Sequence, residues 1–350
     1  MYDVPHLRFP EFSGEWERKR LKDVCNIRTG NKNTQDKSDN GIYPFYVRSQ
    51  IVERINSWTF DGEAILTAGD GVGVGKVFHY STGKIGVHQR VYILSDFKCD
   101  GKYLYSYFAG NFYNRVKRMS AKNSVDSVRM EMIADMPIAL PSIEEQKKIG
   151  HLLALLDDRI TTQNKIIEKL QSLIKGIAQN IVLRNKPNVR ISQCLECSSS
   201  TLQESDVLEY GTYPVYGANG VVGFLDNYNT SNEAIYIIKD GSGVGAVSYV
   251  AGKCSATGTL NILQAKKGFS LRYLYYLLNI FNFEPYKTGM AIPHIYFKDY
   301  GKAQIFCPSY SEQLKYAKFL ATIDDKLLTE QNVLINLSLQ KQYLLRQMFI

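Results

Sequence analysis

The stretch "GEAILTAGDGVGVGKVFHY" (Gly62–Tyr80) occurs a second time, in altered form, as "NEAIYIIKDGSGVGAVSYV" (Asn232–Val250). Both copies contain Glu-Ala-Ile, then Asp-Gly-x-Gly-Val-Gly, and then a short apolar run. A repeat with a period of 170 residues indicates that the chain consists of two related units. The repeat is therefore a stronger guide to the fold than any single motif.

The repeat extends well beyond the glycine-rich stretch. "GIYPFY" (Gly41–Tyr46) matches "GTYPVY" (Gly211–Tyr216). "PIALPSIEEQKKIGHLLALLDDRI" (Pro137–Ile160) matches "QIFCPSYSEQLKYAKFLATIDDKL" (Gln304–Leu327). The sequence therefore predicts a tandem duplication that covers almost the whole chain of 350 residues.

Each half divides into a β-rich part and a helical part. Short strand-like runs broken by Gly, Pro, Asn and Asp fill the β-rich parts. The helical parts lack proline after an opening Pro-Ser, and Ser142 and Ser309 are the expected N-caps. We expect an α+β protein with two β-rich globular domains in a pseudo-two-fold tandem repeat, separated by two long antiparallel helices. The predicted boundaries are 1–141 and 184–308 for the domains and 142–183 and 309–350 for the helices.

The two helices share an apolar heptad pattern. A seam with alternating steps of four and three residues favours a coiled coil, and the alternative is that each amphipathic helix packs on its own domain. The first seam contains Ile149, Leu153, Leu156, Ile160, Gln163, Ile167, Leu170, Ile174, Ile177 and Ile181. The second contains Tyr316, Leu320, Ile323, Leu327, Glu330, Leu334, Leu337, Lys341, Leu344 and Met348.

Gln163 and Glu330 interrupt the two seams at the same repeat position. A polar side chain in a coiled-coil seam reduces stability but specifies the register. We predict that these two residues set the register near the pseudo-two-fold centre of the helix pair.

The glycine-rich stretch does not fit a nucleotide site. A dinucleotide fingerprint places its glycines between a strand and a helix, whereas "KVFHY" and "AVSYV" follow here and have strand composition. No Gly-Lys-Ser/Thr is present for a P-loop. The glycines fit a tight turn with positive φ or a close backbone approach, either to DNA or within a hairpin without a ligand.

The sequence offers no catalytic or metal-binding constellation. The five histidines form no metal-ligand motif, and only Cys194 and Cys197 of the six cysteines are close together, so we expect no metal and reduced thiols. No apolar run is long enough for a membrane span, so we expect a cytoplasmic protein without a membrane partner. The net charge of +8 is compatible with a polyanion-binding surface.

The order of segments resembles that of a known family. Two variable β-rich segments alternate with two similar helices, and Pro-Ser-x-x-Glu-Gln opens each helix. "LPSIEEQKKI" (Leu140–Ile149) and "CPSYSEQLKY" (Cys307–Tyr316) are similar to its most regular motif. "PHLRFPEFSGEWERKRLKDV" (Pro5–Val24) is similar to its usual opening. The chain thus resembles the specificity (S) subunit of a type I restriction–modification enzyme.

The resemblance implies a non-catalytic, sequence-specific DNA-binding subunit that directs methylation and restriction. Each β-rich domain would be a target-recognition domain for one half of an asymmetric bipartite site in double-stranded DNA. The helices would set the spacing and dock two methyltransferase (M) subunits, which two restriction (R) subunits join. No cofactor would bind this chain, because S-adenosylmethionine, ATP and Mg would bind the partner subunits. The seam from Ile149 to Ile181 would span about 48 Å, enough to separate two modules placed about 34–36 Å apart on DNA.

Side chains beside the turns are the candidate DNA contacts. Lys and Arg there would hold phosphates, and Asn, Gln, Arg, Ser and Thr would contact base edges. In the first domain the candidates are Arg48, Lys76, Lys84, His88, Gln89, Arg90, Lys122 and Asn123. In the second they are Asn219, Ser242, Lys253, Thr257, Lys287, Thr288 and His294.

Two other functions are compatible with the residues. A stand-alone two-module DNA-binding regulator would bind its site tightly without partners. A scaffold that does not bind DNA would show no salt-dependent binding to a duplex. An enzyme in its own right is the weakest alternative, because no residue set suggests a reaction.

Overall fold

A computed structural model describes residues 4–119, 127–241, 243–289 and 292–349. The chain forms two compact units. One unit consists of Met1–Gln163 with Val333–Ile350, and the other consists of Asn164–Asn332. Each unit contains one β-rich part of the repeat together with segments of both long helices.

The first unit combines short strands with three helices before its long helix. Its strands are β1 (Glu17–Arg20), β2 (Asn26–Thr29), β3 (Tyr43–Tyr46), β4 (Glu53–Ile55), β5 (Phe60–Asp61), β6 (Ala64–Ala68), β7 (Phe78–Ser81), β8 (Lys84–Val87), β9 (Val91–Ser95) and β10 (Pro137–Leu140). Its helices are α1 (Leu21–Val24), α2 (Gly101–Met119), α3 (Met130–Ala134) and the first part of α4 (Ile143–Leu183), with a 3₁₀ turn at Thr34–Asp36.

Three sheets organise these strands. The first has the order β2-β9-β6-β7 with antiparallel neighbours throughout. The second has the order β4-β3-β8-β5, in which β3 and β8 run parallel. In the third sheet, β1 pairs antiparallel with β10. The first strand of the domain therefore pairs with the strand that leads into α4.

The central strand β6 is buried along its whole length. Ile65 packs in the same core as α2, whereas Leu66 packs in a second core with Phe60 and Ile85. Because both faces are covered, the strand is apolar at every position except Thr67 and does not alternate.

The second unit repeats this order with fewer strands. After the last part of α4, its elements are β11 (Val189–Arg190), α5 (Ile191–Cys194), β12 (Leu195–Ser199), β13 (Tyr213–Gly217), β14 (Gly220–Leu225), β15 (Ala234–Ile238), β16 (Val247–Val250), β17 (Ser255–Ala256), β18 (Leu260–Ala265), α6 (Leu271–Ile280), α7 (Phe297–Tyr300), β19 (Gln304–Ile305) and the first part of α8 (Tyr310–Gln347), with 3₁₀ turns at Glu204–Asp206 and Glu284–Tyr286. The sheets are β12-β18-β15-β16, β14-β13-β17 and the pair β11-β19. In this unit β13 and β17 run parallel, as their counterparts β3 and β8 do.

The two long helices pack against each other in antiparallel orientation within each unit. In the first unit Asp157 of α4 pairs with Lys341 of α8, and Ile149 shares a core with Met348. In the second unit Ile181, near the end of α4, shares a core with Ala317, near the start of α8. The predicted α+β architecture of two β-rich units with two long antiparallel helices is confirmed.

The repeated Pro-Ser-x-x-Glu-Gln motif starts each long helix and fastens it to its domain. Gln146 and Gln313 are buried, with exposed fractions of 6% and 1%. Their Oε1 atoms accept the backbone N–H of Asp100 (3.0 Å) and of Ser270 (2.9 Å), at the starts of α2 and α6. Their Nε2 atoms donate to the carbonyl of the motif proline at 2.8 and 2.9 Å. Since a buried amide needs such partners, the glutamine fixes the angle at which the helix leaves the domain.

Candidate nucleic-acid interface

The glycine-rich stretch of the first unit is a turn between β6 and β7. Gly71 and Gly75 have φ of 77° and 66°, a backbone conformation that disfavours side chains. A Cβ on Gly73 would lie 2.4 Å from the carbonyl oxygen of Arg48, so the turn packs directly on the backbone after β3. The predicted tight turn with positive φ and close approach is present, and strand β7 follows it.

Asp70, at the start of this turn, holds two arginines. Its Oδ1 accepts from Arg48 Nη1 at 2.7 Å, and its Oδ2 accepts from Arg90 Nη1 at 2.5 Å. The Asp70 side chain is 18% exposed, against 44% for Arg48 and 60% for Arg90. Burial opposes ionisation of the carboxyl, but the hydrogen bonds from both arginines outweigh it, so the pKa of Asp70 is below its ordinary value.

His88 is the buried neighbour of this cluster. Its Nδ1 accepts the backbone N–H of Arg90 at 3.1 Å, and its Nε2 lies 3.3 Å from Thr34 Oγ1. An accepting Nδ1 places the proton of the neutral ring on Nε2, which then donates to Thr34. Burial, with a contribution from the Arg48 charge, lowers the pKa of His88, so the ring is neutral at pH 7.

The structure therefore brings four of the candidates together around Asp70: Arg48, His88, Gln89 and Arg90. A surface groove on one side of Asp70 is lined by Arg48 and His88, and a second groove on the other side is lined by Gln89 and Arg90. This cluster, which we call the Asp70 cluster, combines a compact positive surface with amide and guanidinium donors. Such donors are suited to contacts with base edges.

The equivalent turn of the second unit carries different side chains. Gly241 and Gly245 again have positive φ, 97° and 91°. Asp240 occupies the position of Asp70, but its Oδ1 accepts from His294 Nδ1 at 2.6 Å. The backbone of His294 pairs with Thr288, which is a second candidate. Asp240, Thr288 and His294 form the Asp240 cluster.

The backbone bridge that closes the turn is the same in both units. Asp70 pairs with Ser127 and Asp240 pairs with His294, in each case as an isolated antiparallel bridge. Arg90 corresponds by register to Thr259, since β9 and β18 pair alike with β6 and β15. The units therefore keep one backbone arrangement and vary the side chains displayed on it.

The other described candidates lie at separate places. Exposed Lys76, Lys84 and Lys253 lie over the rings of Tyr113 (5.7 Å), Trp58 (5.2 Å) and Tyr228 (4.9 Å), respectively. Asn219 is exposed in the β13–β14 turn, and Lys287 pairs with Glu284 at 2.6 Å. Thr257 is buried, and its hydroxyl lies 2.8 Å from that of Thr259. Lys122, Asn123 and Ser242 lie outside the described residues.

Sequence reasoning missed the two aspartates. Asp70 and Asp240 are acidic residues that both glycine-rich stretches place directly before the first glycine of Gly-x-Gly-Val-Gly, and this shared position is the signal in the sequence. An acidic side chain repels phosphate, so its type alone does not mark it as part of a candidate DNA contact. The structure shows that each carboxylate holds another side chain in place.

The predicted register residues are both mostly shielded from solvent. Gln163 is 8% exposed, and the Glu330 side chain, 12% exposed, pairs with Lys326 one turn earlier on α8. Their joint role at the pseudo-two-fold centre stays a prediction.

The described ranges contain neither a metal-ligand cluster nor a helix suited to a membrane. No group of three or more His, Cys, Asp or Glu side chains there is placed to hold a metal ion. Cys194 has Cys307 as its thiol neighbour, with 3.9 Å between the sulfur atoms. Within the same ranges, no helix is both long and apolar enough to cross a membrane.

The comparison with protein families places these features in context. Residues 13–172 and 188–337 each match the family model described as the type I restriction modification DNA specificity domain. The chain belongs to this family. The two matches coincide with the two copies of the repeat, so the resemblance given by the sequence motifs is confirmed.

Two relatives and one solved structure illustrate the similarity. The chain is 27% identical over 168 residues to the type I restriction enzyme EcoDI specificity subunit of Escherichia coli, covering 48% of this chain and 37% of that one. It is 28% identical over 189 residues to the MjaVIII specificity subunit of Methanocaldococcus jannaschii, covering 50% and 43%. Each alignment thus spans less than half of the relative. The crystal structure of a type I restriction–modification S subunit from M. genitalium has the same fold, with a TM-score of 0.75, 17% identity and 99% coverage of both chains.

Proposed function

We propose that this chain selects the DNA sequence on which a type I restriction–modification enzyme acts, with each unit contacting one half of a bipartite site. The observation that carries the proposal is the pair of equivalent turns with different side chains. Arg48 and Arg90 surround Asp70, whereas His294 accompanies Asp240. Two similar scaffolds with different polar surfaces are what recognition of two different half-sites requires.

A second apolar stripe on the long helices supports docking of methyltransferase subunits. Several large apolar side chains lie outside the heptad seams and are 37–59% exposed. They are Ile143, Leu155, Ile166 and Leu173 on α4, and Tyr310, Leu314, Phe319, Leu328, Ile335, Leu339 and Tyr343 on α8. Exposed apolar residues repeated along a helix mark an interaction surface. We assign this surface to two M subunits, which two R subunits then join.

The same proposal assigns catalysis to the partners. The M subunits would bind S-adenosylmethionine and transfer its methyl group to adenine, and the R subunits would use ATP and Mg²⁺. This chain would contribute the choice of sequence and the spacing between the half-sites, and it would act in the cytoplasm.

The decisive experiment is co-purification with a candidate methyltransferase subunit, followed by long-read mapping of methylated bases in host DNA. We expect methylated adenines in one split motif. Replacing residues 190–308 with the equivalent segment of another family member should change one half of the motif and leave the other half intact. Association without any motif, or a motif that the exchange does not alter, would contradict the proposal. DNA binding without association would instead indicate a stand-alone regulator.

A further inference from the structure

The Asp70 cluster has a feature that simple attraction to phosphate does not explain. Asp70 places a negative charge between the two arginines, so the three side chains together carry one positive charge instead of two. A phosphate approaching both guanidinium groups would be repelled by this carboxylate. A neutral base edge would not be repelled in the same way.

The geometry leaves each guanidinium able to make a two-pronged contact. Arg48 and Arg90 each use Nη1 on Asp70. In the described part of the chain, the Nε and Nη2 atoms of both arginines have no hydrogen-bond partner, and both side chains are exposed. Guanine presents two acceptors, O6 and N7, which match a guanidinium fork. Fixing one end of each guanidinium also reduces the side-chain entropy that binding would remove.

The surroundings of Asp70 hold it in place. Gly71 opens the turn with positive φ, and Gly73 allows the turn to lie on the Arg48 backbone. The backbone of Asp70 bridges to Ser127, and its side chain is mostly shielded from solvent. A carboxylate fixed in this way sets the direction of both arginines.

We infer that Asp70 is a specificity-determining positioning residue, which directs Arg48 and Arg90 away from phosphates and toward guanine in the first half-site. The inference rests on the proposed function, in that the half-site belongs to the bipartite DNA target. In the second unit Asp240 holds His294 through Nδ1, so the Nε2 edge would be the one to meet a different base pair. Asp240 is therefore the matched position for control variants.

The test uses the full chain with its methyltransferase subunits and a randomised duplex library. Wild type, Asp70→Asn, Asp240→Asn and Arg90→Lys are compared by selection and sequencing, and each is checked for folding by thermal unfolding. We expect Asp70→Asn to lose about 10- to 100-fold of its preference for guanine in the first half-site and to keep the second half-site. Asp240→Asn should lose base preference in the second half-site and keep the first half-site. Arg90→Lys keeps the charge but lacks the fork, so it should also lose guanine preference.

A salt titration on a duplex without the target provides an independent readout. Removing the Asp70 charge frees both arginines for phosphates. Non-specific binding of Asp70→Asn should therefore tighten, and the slope of log K against log salt should steepen by about 0.9 for one added phosphate contact. Arg90→Lys should leave this slope unchanged.

The outcomes separate this inference from the proposed function. If wild type selects a bipartite motif and Asp70→Asn only weakens all sequences equally, Asp70 is a structural residue and the inference is wrong. If wild type selects no motif, the proposed function fails. In that case the salt titration still decides the charge argument, because an unchanged slope for Asp70→Asn would overturn it.

Discussion

The two units share the glutamine hydrogen bonds that join each long helix to its domain. They differ in the contacts of the glutamate that precedes this glutamine. Gln146 and Gln313 make the same pair of hydrogen bonds. The preceding glutamates differ, because Glu145 is buried against Arg8 whereas Glu312 is exposed and accepts hydrogen bonds from Ser309. The N-terminal segment that supplies Arg8 has no counterpart in the second copy. Duplication thus preserves contacts internal to the repeat, and contacts to unique segments diverge.

The same distinction holds at the turns. Backbone bridges at Asp70 and Asp240 are equivalent, and the side chains that meet them are not. The shared backbone fixes where each side chain is attached but not which side chain it is. Exposed side chains at the turns can therefore differ between the copies without loss of fold stability. Under the proposed function, this difference would allow one scaffold to contact two unrelated DNA sequences.

The largest expected difference between the copies concerns the glutamates. Glu145 accepts Arg8 Nε and Nη2, both at 2.8 Å, and its side chain is 1% exposed. Glu145→Gln should reduce the free energy of unfolding by about 3 kcal/mol, since it leaves a largely buried guanidinium without its charge partner. Urea unfolding of the full chain measures this loss.

The matched control is Glu312→Gln, which should shift the urea midpoint little. The exposed carboxylate of Glu312 has water as an alternative partner, so its loss leaves no buried group unpaired. Equal losses in the two variants would show that the burial of the Arg8–Glu145 pair does not matter.

A glycine pair within α4 gives a second, smaller difference. A Cβ on Gly150 would lie 2.6 Å from Asp100 Oδ1 and from the backbone nitrogen of Tyr103, whereas a Cβ on Gly176 would meet nothing within 4 Å. We expect Gly150→Ala to destabilise by about 1–3 kcal/mol through overpacking. Gly176→Ala should stabilise by about 0.8–1.0 kcal/mol, the usual helix preference for alanine.

Thermal and urea unfolding of the two alanine variants provide the measurement. Ala317 occupies the position of Gly150 in the second copy, so that copy already accommodates a methyl group there. Stabilisation by both substitutions would show that α4 does not pack closely on the start of α2.

The smallest expected effect is a pH dependence specific to the first unit. The folded pKa of His88 is below its ordinary value, so the unfolded chain takes up a proton at higher pH than the folded chain. The stabilising contribution is therefore complete above about pH 6.5 and is lost as the pH falls below it toward the folded pKa. Thr257 stands at the equivalent position and cannot titrate.

His88→Thr should therefore reduce the loss of stability between pH 7 and pH 5.5. Urea midpoints at both pH values measure it, and the exposed His6→Thr is the matched control. An identical pH dependence in wild type and His88→Thr would refute a role for His88 in this loss.

The sequence by itself determined the duplication, the β-rich and helical parts, and the glycine turn. These follow from periodicity and local chemistry: heptads need apolar residues at fixed spacing, and Gly71 and Gly241 need positive φ. The family followed from the same repeated motifs. Serine caps were also predictable, and Ser142 Oγ accepts the Glu145 N–H at 3.3 Å.

Only the tertiary structure decided which side chains meet. Asp70, Arg48 and Arg90 are far apart in sequence and come together because β6 pairs with β9 and the turn lies over the end of β3. Whether a lysine lies over a ring, or a threonine such as Thr257 is buried, also depends on contacts across strands. Local patterns specify elements because they act over a few residues, whereas a site depends on distant residues whose proximity arises only when the sheets pair.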